Sequence, residues 1–316
     1  MKNITNNSRW GKLTLLLNIA VLVFFIISML SLMKFDKTNT LVVSERPVYE
    51  KAYEDYIMAQ HPLKQDSAEV AYYQYKLDTL QQKLAKAEKA AKADINDMIN
   101  TTKETLGEKK KLQSQHQADL ASLESEYKPI NDNWNKINDD NAKSKKGFIV
   151  IAVITGLLFI VKLLLFGTYN YKNSKNIHEA AAWMKDGMPS WIAYASWFIP
   201  IYNLIKPLTF FKEIWEESEY VLERNNIVER KNTTDNTGLH MGIWWTFLLI
   251  SVWLMNIILF LTFFKEGALF VKANHGAMAI IAIIIMVIAM AEETMLILNY
   301  NKINKQMVDN ADKLND

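Results

Sequence analysis

The sequence predicts an all-α integral membrane protein: a helical bundle of four spans plus a proline-broken re-entrant or interfacial segment, with a helical coiled-coil hairpin inserted into it. Three observations predict this class. The chain has 316 residues of which 50% are hydrophobic, yet the apolar residues are gathered into blocks instead of being spread at core spacing. Four blocks, residues 13–33, 147–166, 241–264 and 277–298, reach the roughly 20 residues that cross about 30 Å of hydrocarbon. Between the first two lies a long polar stretch whose apolar residues recur every seven positions, the spacing of a coiled-coil seam.

The first element, residues 1–33, reads as an uncleaved signal-anchor helix. Lys2, Arg9 and Lys12 precede the apolar run, as in a signal peptide. The run is longer than a signal core of roughly 7–15 residues, however, and no A-x-A-like cleavage site follows it in SMLSLMKFDK.

Residues 34–146 form a water-exposed arm with equal numbers of basic and acidic side chains. Its middle is rich in Ala, Leu, Lys, Gln and Glu, all good helix formers. Asp66 with Glu69, just after Pro62, has the form of a capping box. Val70, Leu77, Leu84, Ala91 and Met98 recur at seven-residue intervals, with Tyr73, Leu80 and Ala87 three places on. Asn100 then interrupts, Thr101 with Glu104 repeats the capping pattern, and Leu112, His116, Leu120, Leu123 and Tyr127 make a second stripe before Pro129. A seam needs a partner, and the economical reading is a hairpin turning near the Asn/Thr cluster and Gly107. The alternative is one rod from Ser67 to Tyr127, about 90 Å long at 1.5 Å per residue, pairing with a second copy.

The membrane domain occupies residues 147–305, followed by a polar tail, 306–316. Its second and third spans are separated by a polar connector, by the apolar stretch WFIPIYNLIKPLTFFKEIW and by a polar loop at 216–239. Pro200 and Pro207 break that stretch and Lys206 charges its middle. A straight helix through two prolines loses backbone bonds that lipid cannot replace, so residues 191–211 are expected to fold back. An amphipathic helix from Leu208 to Glu217 would then turn Phe211, Ile214 and Trp215 toward lipid, and Lys212, Glu213 and Glu216 toward water.

Charge bias supports folding back. With the N-terminus inside and no crossing, the cytoplasmic side collects Lys2, Arg9, Lys12, the basic residues between Lys172 and Lys231, and Lys302, Lys305 and Lys313. The short outer loop then keeps only Lys265 and Lys272, whereas a crossing segment would erase the bias. Lys145 and Lys146, just before the second span, vote the other way. The four-span topology also puts Lys162 at the same depth as Glu292 and Glu293. Lys162 is therefore expected to pair with one of them, the alternative being that each charge snorkels to the headgroups.

Little else points to chemistry. The net charge of +2, with both signs interspersed, disfavours nucleic acid as a partner, and the absence of Cys excludes disulfides and thiolate sites. His178-Glu179 opens like a zinc-protease motif but lacks the second His, and no phosphate loop or nucleophile elbow occurs. No catalytic residue, cofactor or metal is expected. Trp10, Tyr169, Trp191, Trp244 and Tyr300 read as interfacial anchors. Asn18 and Asn256 are expected to hydrogen-bond between helices, and Gly238 with Gly242 to pack closely.

The core W-F-x-P-x-x-N-L-x-x-P, here Trp197, Phe198, Pro200, Asn203, Leu204 and Pro207, resembles the bacterial membrane family of domain of unknown function 4328. Glu213 and Trp215 in E-x-W and the pair Trp244–Trp245 fit as well, and the resemblance covers roughly residues 148–305. It implies a multi-span architecture in a bacterial cytoplasmic membrane and assigns no activity. The expectation is a non-enzymatic scaffold bound to the lipid bilayer, whose arm holds a protein partner or a second copy through residues 67–127. Both termini would be cytoplasmic and the arm extracytoplasmic. The alternative is a small solute transporter or channel using the broken segment from Trp197 to Pro207 and the charges Lys162, Glu292 and Glu293.

Overall fold

A computed structural model describes residues 3–181, 189–198, 204–229, 236–263 and 268–314, those at 198 and 261–275 by backbone alone. All regular structure among the described residues is helical. The helices are α1 (Ser8–Lys86), α2 (Lys92–Ala180), α3 (Ile192–Phe198), α4 (Lys206–Arg224), α5 (Thr237–Phe263) and α6 (Ala268–Asp309). Four of them, α1, α2, α5 and α6, are long and apolar enough to cross a membrane. The chain divides into two compact units, one of Met1–Asp36 with Ser144–Asp316 and the other of Lys37–Lys143.

The unit of 37–143 is a hairpin. It turns at residues 87–91, where the Ala87 amide donates to Leu84 and the Ala91 amide to Glu88. The expected turn near Asn100 and Gly107 is therefore corrected, since α2 runs straight through both. The physical reason is the small size of Ala87 and Ala91: a seam continued through them buries little. Turning earlier brings Ile95, Ile99 and Leu106 of α2 onto Val70, Tyr73, Leu77, Leu80 and Leu84 of α1. Met98 is left exposed.

Neither capping box caps a helix. Asp66 is buried mid-helix, 2.5 Å from His116 Nδ1, and Glu69 pairs with Lys109 across the hairpin. Thr101 bonds back to the Asp97 carbonyl within α2. Prolines 47, 62 and 129 lie inside helices. The residues four places before them, Val43, Met58 and Ser125, are exposed, so water can take the carbonyl that each proline leaves unbonded. Stacked rings close the hairpin farther along, Tyr56 on Tyr127 at 4.8 Å and Tyr49 on Trp134 at 5.0 Å.

In the other unit the side-chain contacts fix the helix directions. Asn7 meets Asn173, and Thr155 Oγ1 donates to the Phe24 carbonyl, so α1 and α2 are antiparallel. Asn7 also meets Asn304, and Met33 lies beside Gly276, so α1 and α6 are antiparallel too. Lys162 with Glu293 and Tyr169 with Asn301 make α2 and α6 parallel. Only four residues separate Phe263 of α5 from Ala268 of α6, yet Trp244 meets Glu293 far along both helices from that connection, so α5 and α6 are antiparallel. The start of α1, the ends of α2 and α6 and the start of α5 consequently gather at one end of this unit. Gly11 makes room there: a Cβ at that position would come within 2.8 Å of both Asn301 amide atoms, so Asn301, which accepts a bond from the Tyr169 hydroxyl, would have to shift.

The segment between α2 and α5 is seen in part. Helix α3 ends at Phe198 and α4 begins at Lys206 with Pro207 in its first turn, where a missing N–H removes no helical bond. Pro200 and Asn203 lie outside the described residues. Helix α4 is amphipathic, but its apolar face is turned inward, which corrects the lipid-facing expectation. Phe211, Ile214 and Trp215 are buried in the core, because Phe211 and Trp215 both pack on Tyr300 of α6.

Candidate functional site

Lys162 of α2 is fully buried, at 0% exposure, and its Nζ donates to Glu293 Oε2 of α6 at 2.6 Å; Glu293 is itself 1% exposed. The same oxygen accepts the indole N–H of Trp244, on α5, at 3.0 Å. One carboxylate oxygen thus joins three helices. The Lys162 ammonium also lies 5.6 Å from the centre of the Phe159 ring, close enough for a cation–π contribution. Glu293 Oε1 has no side-chain partner.

Glu292 is not part of this centre. The helix turns it about 100° away from Glu293, and its Oε2 lies 2.9 Å from His240 Nδ1 in a half-buried pair. Of the charges expected to associate, the fold brings together Lys162 and Glu293 and sends Glu292 to a separate partner.

Aromatic rings enclose the centre. Phe166, one turn after Lys162, packs on Trp244 at 5.6 Å, on Phe211 at 5.5 Å and on Trp197 at 5.8 Å. Trp197 packs in turn on Trp245 at 5.5 Å. The indole N–H of Trp245 donates to the Leu204 carbonyl at 2.7 Å, and Ser218 of α4 bonds the Tyr300 hydroxyl at 2.7 Å. The motif residues Trp197, Leu204 and Trp215 therefore hold α3 and α4 against α5 and α6, and Pro207 is buried in the first turn of α4. Glu213 is half-buried on α4, and Phe198 is placed by its backbone at the end of α3.

Trp244, Tyr169 and Tyr300 are wholly buried, so they are core residues and not the interfacial anchors expected; Trp191 is exposed. A lone hydropathy pattern cannot separate the two roles, since an aromatic near a span end suits either. Other expectations also need correction. Asn256 bonds the Val252 carbonyl of its own helix, and neither side-chain atom of Asn18 has a partner. Gly238 and Gly242 face open space.

A polar layer at the terminal end went unread in the sequence. Thr5 and Asn176 exchange bonds at 3.0 and 2.7 Å. Asn7 donates its side-chain amide to Asn173 and its backbone amide to Asn304, both at 3.0 Å. The recurrence of Asn at 170, 173 and 176 puts three amides on one helix face, and that spacing was the available signal. Among the described residues, no group of three His, Cys, Asp or Glu side chains is placed to hold a metal ion.

Apolar helices held together by a buried ion pair, inside an aromatic shell, define a multi-pass helical membrane protein. The match to a family model narrows this. The chain belongs to the family described as Domain of unknown function (DUF4328), whose model covers residues 138–302. That range takes in the ion pair, α3 to α5 and most of α6, and leaves out α1 and nearly all of the 37–143 unit. No curated protein and no solved structure matches the chain.

Proposed function

We propose that this protein is a non-enzymatic scaffold of the bacterial cytoplasmic membrane, with both termini cytoplasmic and an extracytoplasmic arm that binds a protein partner or a second copy through residues 67–127. One observation carries the reading. The hairpin uses its seam internally, yet its outer face still exposes Tyr72 at 59% and Tyr75 at 72%. These two rings lie one turn apart on α1. Exposed tyrosines are economical binding groups, because a large amphipathic ring is fixed through only two torsions. The gathering of the start of α1, the ends of α2 and α6 and the start of α5 at one end of the membrane unit supports a fold-back between α2 and α5.

The transporter reading rests on the same intramembrane charges. Weighing against it, Lys162 is fully buried, tightly paired and packed among rings, which is the environment of a structural tie. A photo-crosslinker at Tyr72 or Tyr75 in the full chain is expected to capture a homodimer or one discrete partner, and Tyr72→Glu with Tyr75→Glu should abolish the adduct. Failure to recover either species through the arm would sink the scaffold reading.

A further inference from the structure

Arg9 of α1 and Lys172 of α2 bring two positive charges to one ring. The Arg9 guanidinium and the Lys172 ammonium each lie 5.5 Å from the centre of the Trp10 indole, within cation–π range, so they stand within twice that distance of each other. Close by along α2, the Lys175 ammonium lies 5.3 Å from the centre of the Tyr171 ring. Trp10 packs half-buried against the core and Lys172 is half-buried, whereas Arg9 and Lys175 are exposed. Trp10 precedes the apolar run of α1 and Lys172 follows that of α2, which is the depth of lipid headgroups.

No carboxylate balances these cations. Residues 3–35 and 147–178 contain neither Asp nor Glu, and Glu179, the first acid beyond them on α2, pairs with neither lysine. Helix α3, whose Tyr194 packs on Tyr171, has no acid either. Glu219 and Glu223 of α4 line a cavity with Lys302, and none of Arg9, Trp10 or Lys172 lines it. Among the described residues, Arg9, Lys172 and Lys175 therefore have no ion-pair partner. Like charges gathered on one ring repel, and an anion set beside them turns that repulsion into attraction.

We propose that Arg9, Trp10 and Lys172 form a binding site for the phosphate of one anionic phospholipid, with Lys175 adding to its field. A lipid is the source of the phosphate because apolar paths lead from the cations into the spans. Arg9, Leu13 and Leu16 follow one another at i, i+4 and i+7 on one face of α1, and Leu13 and Leu16 are 39% and 64% exposed. On antiparallel α2, Val161 shares the face of Lys172 about three turns away and is 47% exposed. Both stripes run from the cations toward the middle of the spans, where acyl chains lie against them. Trp10 holds the two cations together, and the Arg9 fork can donate to two phosphate oxygens at once.

The test uses the full-length protein, purified in detergent, stripped of lipid and re-equilibrated with equal amounts of phosphatidylglycerol and phosphatidylcholine. These carry the same phosphate and differ in net charge. Native mass spectrometry reads the retained lipid. One basic residue beside an anionic headgroup changes binding about fivefold, so the two cations on Trp10 are expected to give about a 25-fold preference for phosphatidylglycerol. Arg9→Gln and Lys172→Gln should each lower that preference about fivefold. Lys146→Gln, an exposed change at the opposite end of the second span, should leave it unmoved. Millimolar inorganic phosphate should not displace the lipid. Equal retention of the two lipids, a preference that Lys146→Gln lowers as much as Lys172→Gln, or displacement by inorganic phosphate would overturn the proposal. The arm takes no part in this site, so the outcome is separate from that of the crosslinking.

Discussion

Replacing Lys162 with Met removes one charge from the buried centre and leaves the rest of its packing volume in place. At the observed 2.6 Å, the attraction between unit charges is about 6 kcal/mol at an effective dielectric constant of about 20. Most of that gross figure offsets desolvation, but a single deletion still exposes the full penalty. Glu293 would keep only the Trp244 N–H, so the expected loss is about 3–5 kcal/mol. At roughly 2–4 °C per kcal/mol for a unit of this size, the midpoint of thermal unfolding in detergent should fall by about 6–20 °C. The double replacement Lys162→Met with Glu293→Leu removes both charges and should recover most of the loss, because apolar substitutes for a buried pair are often neutral. A double-mutant cycle on purified protein measures the coupling. If Lys162→Met melts with the unaltered protein, or the double variant is as unstable as the sum of the two single ones, the ion pair does not hold the three helices together.

Trp244→Phe should cost about 1–2 kcal/mol through the lost N–H bond to Glu293, less than Lys162→Met, in the same melting assay. In the arm, His116→Ala strips the partner from buried Asp66, and should destabilise the hairpin by about 1–3 kcal/mol, read by helical circular dichroism during chemical unfolding. Glu217 on α4 is raised from its ordinary 4.5 to about 7, first by burial and then by the nearby charge of Glu213. The folded state therefore binds a proton there that the unfolded chain has released, so stability falls as pH rises from about 4.5 to about 7 and is flat above. Because Glu217 is only half-buried, the effect should be about 1 kcal/mol, and Glu217→Gln should remove that slope from a pH series of melting curves.

The spans were legible because crossing hydrocarbon demands an uninterrupted apolar run, and nothing else in the chain has one. The Lys162–Glu293 association was legible to within one residue: depth follows from counting along two helices, but which of two adjacent glutamates points inward depends on helix rotation, which apolar surroundings on every side leave unmarked. The hairpin turn was misplaced for the opposite reason. AKAEKAAKA is among the best helix-forming sequence in the chain, so local propensity gave no break, and the turn was chosen by the match of Leu77 and Leu80 to Ile99 and Leu106. The inward face of α4 was hidden because Phe211 and Trp215 suit lipid and protein equally, and only the placement of Tyr300 decides between them.

The absence of cysteine makes a direct test of the fold-back simple. Single Cys residues would be placed at Ser122 in the arm and at Asn236, just before α5, both exposed positions, and intact cells would be treated with a membrane-impermeant maleimide. Labelling at 122 is expected in intact cells, with none at 236 until the cells are opened. Labelling at both positions in intact cells would contradict it, since the segment containing Trp197, Pro207 and Trp215 would then cross the membrane.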